Sequence, residues 1–126
     1  MSAAVTSTPF AMIVFRGLAI VVLGGVAGQF FLAGMAVFGA GTGWELHAAM
    51  GGALGLPVLA LFLLSLSLSQ ALRRYRRSGA LLFTVYLLQV ALAGVGDALP
   101  MLGALHPVNG MLMGLITVRL VGRTAP

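Results

Sequence analysis

The sequence predicts an all-α membrane fold, in which four helices form an up-down-up-down bundle made of two tandem hairpins. Three observations lead there. Hydrophobic residues fill 60% of the 126 positions and charged residues only 7%, whereas a soluble domain carries roughly a quarter. The apolar residues fall into four runs, each near or above the roughly 20 residues that cross a hydrocarbon core. All seven basic residues are arginines, and they gather at alternate ends of those runs.

The elements follow in order. Residues 1 to 9 are small and polar and are expected to fray before the first run, Phe10 to about Phe38, which only Arg16 interrupts. Val26-Ala27-Gly28 has the small residues of a signal-peptide cleavage site, but the apolar run continues far past it, so a spanning helix is expected instead. Gly39-Ala40-Gly41-Thr42-Gly43 makes the first turn, with Trp44 as an interfacial anchor. The second run extends from Glu45 to Leu72, with a mild kink expected because Pro57 has no N–H for the carbonyl of Ala53. Arg73-Arg74-Tyr75-Arg76-Arg77-Ser78 is the second turn, Gly79 to Gly96 the third run and Asp97-Ala98-Leu99-Pro100 the third turn. The fourth run covers Leu102 to Val121. The length suits one domain over residues 1–126, with repeat 1 at about 10–72 and repeat 2 at about 79–123.

Arg16, the 73–77 cluster, Arg119 and Arg123 fall on one side of such a bundle, and the two other loops hold no basic residue. The positive-inside rule then puts both termini and the middle loop in the cytoplasm, as in a bacterial-type inner membrane. The sequence pI near 11.6 does not signal nucleic acid, since no basic face with interleaved aromatics is present. Without cysteine, disulfides, thiolate metal sites and covalent haem attachment are excluded. The 18 glycines sit largely within the runs, where small residues let helices approach closely in lipid. Exposed small-residue faces would also permit a homo-oligomer.

A duplication carries the functional expectation. Gln29-Phe30-Phe31-Leu32-Ala33-Gly34 and Gln89-Val90-Ala91-Leu92-Ala93-Gly94 share Gln-x-x-Leu-Ala-Gly 60 positions apart, and His47 to Gly51 and His106 to Gly110 share His-x-x-x-Gly 59 apart. Two parallel repeats of two spans each place the second and fourth spans diagonally, with the chain's two histidines level and facing each other. Two imidazoles so placed invite one metal, and haem b with His47 and His106 as axial ligands is the expected cofactor. Gly51 and Gly110, one turn deeper on the same faces, would leave room for a flat ring. The second ring nitrogens would be held by carbonyls of the preceding turn, by Glu45 for the first site, or by Gln29 and Gln89. Propionates would reach solvent or use Trp44, Thr42, Asn109 and backbone amides.

These same residues resemble one half of a haem A synthase and, more broadly, the four-helix membrane cytochromes b. Trp44-Glu45-Leu46-His47 with Gly51 is similar to the start of the synthase's second span, the Leu87–Gly94 stretch to its third, and His106 stands where the fourth-span ligand would be. The His-Pro-Val-Asn-Gly segment is also similar to that of small bacterial four-helix membrane proteins. The resemblance implies haem binding. The synthase motif has an arginine where this chain has Ala48, so oxidation of a haem methyl group is not carried over.

The function expected is electron transfer or redox sensing by a low-spin, bis-histidine haem, as an electron carrier with unidentified redox partners rather than an enzyme with a substrate of its own. The plainer alternatives are a cofactor-free helical scaffold or accessory subunit, in which the histidines are polar end residues, and a small quinone-binding or transport subunit centred on Gln29 and Gln89. Zinc fits less well, since it takes four ligands and only Glu45 and Asp97 could add to the pair.

Overall fold

A computed structural model describes residues 10–67 and 69–125; the expected fraying of residues 1 to 9 lies outside them. The helices are α1 (Phe10–Val37), α2 (Gly43–Ala53), α3 (Gly55–Ser65), α4 (Gln70–Arg73), α5 (Arg76–Val95), α6 (Pro100–Gly103) and α7 (Leu105–Arg123). They compose four stretches long and apolar enough to cross a membrane: Phe10–Val37, Gly43–Ser65, Arg76–Val95 and Pro100–Arg123. Even the shortest, with 20 residues, reaches about 30 Å at 1.5 Å per residue. The chain is an all-α bundle of four apolar spans.

Prolines set the breaks in the second and fourth spans. Pro57 and Pro107 have no N–H to give the carbonyls of Ala53 and Gly103. The helix is interrupted one turn before each, at Leu54 and at Ala104. The interruption at Leu54 falls where a mild kink was expected, with Leu54 itself still at helical angles (φ −61°, ψ −20°), and a matching one at Ala104 precedes His106.

One expected element ends early. The second run does not continue to Leu72: the helix stops at Ser65, and the chain turns into the single-turn helix α4. The hydroxyl of Ser65 donates to the carbonyl of Phe62 at 2.6 Å, and Ser69 is extended at φ −60° and ψ 116°. Serine offers the backbone such local alternatives to a helix. The early stop equalises the histidine-bearing spans. His47 to Ser65 is 18 residues and His106 to Arg123 is 17, or about 27 and 26 Å.

The hairpin turns close on small residues. Gly39 has φ 77° and Gly41 φ 58°, values that L side chains avoid. Ala40 N–H bonds to Met35 and Gly39 N–H to Ala36, the paired bonds of a Schellman end. A Cβ on Gly43 would lie 2.7 Å from the backbone nitrogen of Ala36, and one on Gly103 would lie 2.7 Å from Cα of Gly96. Gly43 with Gly103, and Ala36 with Gly96, are each 60 positions apart. The duplication thus extends to the way each hairpin closes.

α1 packs against α2, α3 and α7, while α5 packs against α3, α6 and α7. The spans therefore follow one another around the bundle, and the second and fourth are diagonal. The core lies toward the arginine-bearing end. Phe15, Ala19, Val22, Val58, Leu61, Leu72, Tyr75, Leu82 and Leu120 are buried there. Tyr75 stacks on Phe15 with centroids 5.2 Å apart, donates to the carbonyl of Arg123 at 2.8 Å and lies under the Arg74 guanidinium. At the other end α2 leans on α1 and α6 on α5, and the hairpins part.

Gly43→Ala forces backbone apart at the first hairpin. It is expected to cost about 1–3 kcal/mol, read as a lower unfolding midpoint in detergent. Gly17→Ala, whose Cβ meets nothing within 4 Å, should change stability by less than about 0.5 kcal/mol.

Candidate functional site

The space between the parted hairpins is a cavity of about 510 Å³ whose lining includes His47, His106, Gln29 and Gln89. That volume falls within the roughly 300–1,000 Å³ of small-molecule and cofactor sites. The remaining walls are mainly apolar, among them Val26, Phe30, Val90 and Met113.

His47 lies one turn into α2, and His106 is the second residue of α7, just after the break at Ala104. Each ring is fixed in the same way. Nδ1 of His47 bonds the main-chain carbonyl of Gln29 at 3.0 Å. Nδ1 of His106 bonds the main-chain carbonyl of Gln89, also at 3.0 Å. A carbonyl only accepts, so each Nδ1 carries the proton and each Nε2 keeps its lone pair. A helical carbonyl has a second lone pair beyond the one used in its own ladder, so the bond leaves α1 and α5 intact. The ring centroids are 5.9 Å apart with planes at 61°.

These contacts decide between the partners expected from sequence. Gln29 and Gln89 are the right residues, but their backbone carbonyls hold the rings. Neither a carbonyl of the preceding turn nor Glu45 takes that role, and Glu45 is exposed. Trp44 is also exposed, with its ring edge-on to His47 at 5.8 Å.

The glutamine side chains fill the notches above the paired glycines. A Cβ on Gly51 would lie 3.2 Å from Oε1 of Gln29. On Gly110 it would lie 3.2 Å from Nε2 of Gln89 and 3.4 Å from the Phe30 ring. The glycines therefore seat the glutamines first, where the sequence suggested open room for a flat ligand. The two amides then differ. Nε2 of Gln89 donates to Nε2 of His106 at 3.2 Å, while its Oε1 accepts from Asn109 at 2.7 Å. Nε2 of Gln29 is buried without a partner.

Two residues of the site have roles that the sequence did not give: Asn109 was expected only as a propionate partner, and Tyr86 was not singled out. Asn109 is buried and donates to the carbonyl of Val85 at 2.9 Å as well as to Gln89. With both bonds directed into the bundle, it is taken up structurally and is not a propionate partner. Tyr86 donates to the carbonyls of Gly51 and Gly52 at 3.1 and 3.3 Å, clipping α5 to the histidine helix. The signal for Asn109 was present in His-Pro-Val-Asn-Gly, as a polar side chain next to the repeat glycine.

The model of a family of unknown function, DUF6220, matches residues 29–97, just over half of the chain. The chain belongs to DUF6220. The shared region of this DUF6220 member contains Gln29, His47, Gly51, Tyr86 and Gln89, whereas His106, Asn109 and Gly110 lie beyond it. No curated protein and no solved structure matches the chain, so the likeness to haem A synthase rests on the short motifs alone.

Asn109→Leu leaves the Oε1 of Gln89 without its donor, while the carbonyl of Val85 keeps its own helical bond, and is expected to lower stability by about 1–3 kcal/mol, measured by unfolding in detergent. Nitrogen-15 NMR of the histidine-labelled protein, free of added ligand, should show the Nδ1–H tautomer at both rings. An Nε2–H signal at either one would contradict the assigned bonds.

Proposed function

We propose that this protein is a membrane haem b protein in which His47 and His106 are the axial ligands, serving electron transfer or redox sensing. The observation that carries the reading is the matched anchoring of the two imidazoles. Both Nδ1 atoms are committed to equivalent backbone carbonyls at 3.0 Å, and the centroids stand 5.9 Å apart. Metal-ligating histidines characteristically give their other N–H to a carbonyl or carboxylate, which fixes tautomer and orientation. Two metal–nitrogen bonds of roughly 2 Å each, plus the ring radii, put the centroids of a shared metal's ligands roughly 6 Å apart.

Other features fit the group. The cavity has the size of a cofactor site and mainly apolar walls. Among the described residues no cluster of three His, Cys, Asp or Glu exists, so a metal with four protein ligands lacks donors while an axially ligated macrocycle needs only two. Gln89 must withdraw from His106 for Nε2 to serve as a ligand, and the amide has rotamers to do so. Bound haem would supply one-electron chemistry. The chain's contribution is to hold both rings in place, exclude water with apolar walls and leave no third protein donor.

The arginine asymmetry supports a bacterial-type cytoplasmic membrane with both termini inside. The histidine cavity then lies toward the outer face, and a redox partner would approach from that side or from within the lipid. A quinone in the same cavity is the second reading, favoured by the buried, unpartnered Nε2 of Gln29.

Absorption spectroscopy separates these readings. Protein purified after expression with ample haem is expected to show a Soret band of low-spin, bis-histidine type. His47→Ala and His106→Ala should each abolish it or convert it to high spin. A colourless preparation would sink the haem proposal, and a co-purifying quinone would favour the second reading.

A further inference from the structure

Although the repeats match in their backbone anchoring, the side chains behind the two ligating nitrogens do not. In the second repeat Asn109 is held by the carbonyl of Val85 at 2.9 Å and in turn holds Oε1 of Gln89 at 2.7 Å. That orients the Gln89 amide so that its N–H meets Nε2 of His106 at 3.2 Å. In the first repeat, the residue 59 positions before Asn109 is Met50, which has no amide with which to orient a glutamine. Nε2 of Gln29 is left buried and without any partner. His106 therefore has an alternative acceptor role prepared for it off the metal, and His47 has none.

The backbone adds a second difference. His47 lies within the uninterrupted helix α2, whereas His106 is the second residue after the Ala104 interruption and immediately precedes Pro107. Pro107 leaves the carbonyl of Gly103, one turn before His106, without its ladder partner, whereas the carbonyl that Pro57 leaves free, that of Ala53, lies well beyond His47. The Nδ1 bond to Gln89 keeps the imidazole oriented while it moves.

We infer that His106 is the exchangeable ligand of the pair, and that Gln89, positioned by Asn109, receives its Nε2 when it leaves. This rests on the haem reading above and extends it to the binding of a neutral diatomic gas, such as carbon monoxide, nitric oxide or dioxygen, opposite a retained His47. The exchange breaks one metal–nitrogen bond and forms one bond to the incoming ligand. No electron or proton changes hands: the lone pair freed on Nε2 accepts the Gln89 N–H. Gln89 is a positioning residue here, acting through His106.

Carbon monoxide added to the reduced, haem-loaded protein in detergent tests this, with the C–O stretch read by infrared spectroscopy. The wild type is expected to bind the gas and to give the stretch of His106→Ala, in which His47 is the remaining protein ligand, and not that of His47→Ala. A wild-type stretch matching His47→Ala, or no binding by the wild type, overturns the inference. Gln89→Leu keeps the main-chain carbonyl that anchors Nδ1 but cannot receive Nε2. It is expected to weaken carbon monoxide binding about three- to tenfold, the equivalent of one hydrogen bond, and unchanged affinity would count against the role of Gln89. If that variant does not fold, the infrared comparison still decides which histidine leaves. Absence of a Soret band from every preparation would instead remove the haem reading itself.

Discussion

Two hydrogen bonds organise the site: the Nδ1–H of each histidine to the backbone carbonyl of a glutamine on the neighbouring span. Each joins the two helices of one hairpin at the level where the hairpins separate. The acceptors are main-chain atoms of continuous helices, so they cannot rotate away as side-chain partners can. Ring orientation, tautomer and the inward facing of Nε2 all follow from that bond. Its dependence on backbone also makes it insensitive to substitution of the glutamine side chains, which are free to differ in role.

Around this pair the bundle divides its labour along its axis. The arginine-bearing half is closed by Phe15, Tyr75, Leu61 and Leu82, with the Tyr75 hydroxyl tying the middle loop to the end of α7. In lipid no hydrophobic drive holds helices together, so close packing and interhelical hydrogen bonds must do it. Most of that packing is concentrated in one half. The other half retains space between the hairpins, with Tyr86 and Asn109 as its polar clips.

Much of this was legible in the residues. Four spans, their order and the diagonal placement of the histidines followed from hydropathy, arginine placement and the offsets of 60 and 59 positions. Proline chemistry pointed to an irregularity near Pro57. The stop at Ser65 was not legible, because Leu66 and Leu68 continue the apolar pattern and the competing serine bond is visible only in three dimensions. The anchoring was left open between carbonyls of the preceding turn, Glu45 and the glutamines, and the glutamine backbone went unseen because side chain and main chain of one residue share one sequence position. Asn109 was offered as a propionate partner, because its actual partners, Val85 and Gln89, belong to another helix and have no fixed sequence relation to it.

The uneven distribution of packing bears on biogenesis. A chain whose tight contacts lie in one half can complete insertion and helix association with the other half still open. The parted end then stays accessible to the surrounding bilayer after the rest has locked. Folding of the chain and filling of the cavity would then be separate events, the first needing nothing from the second.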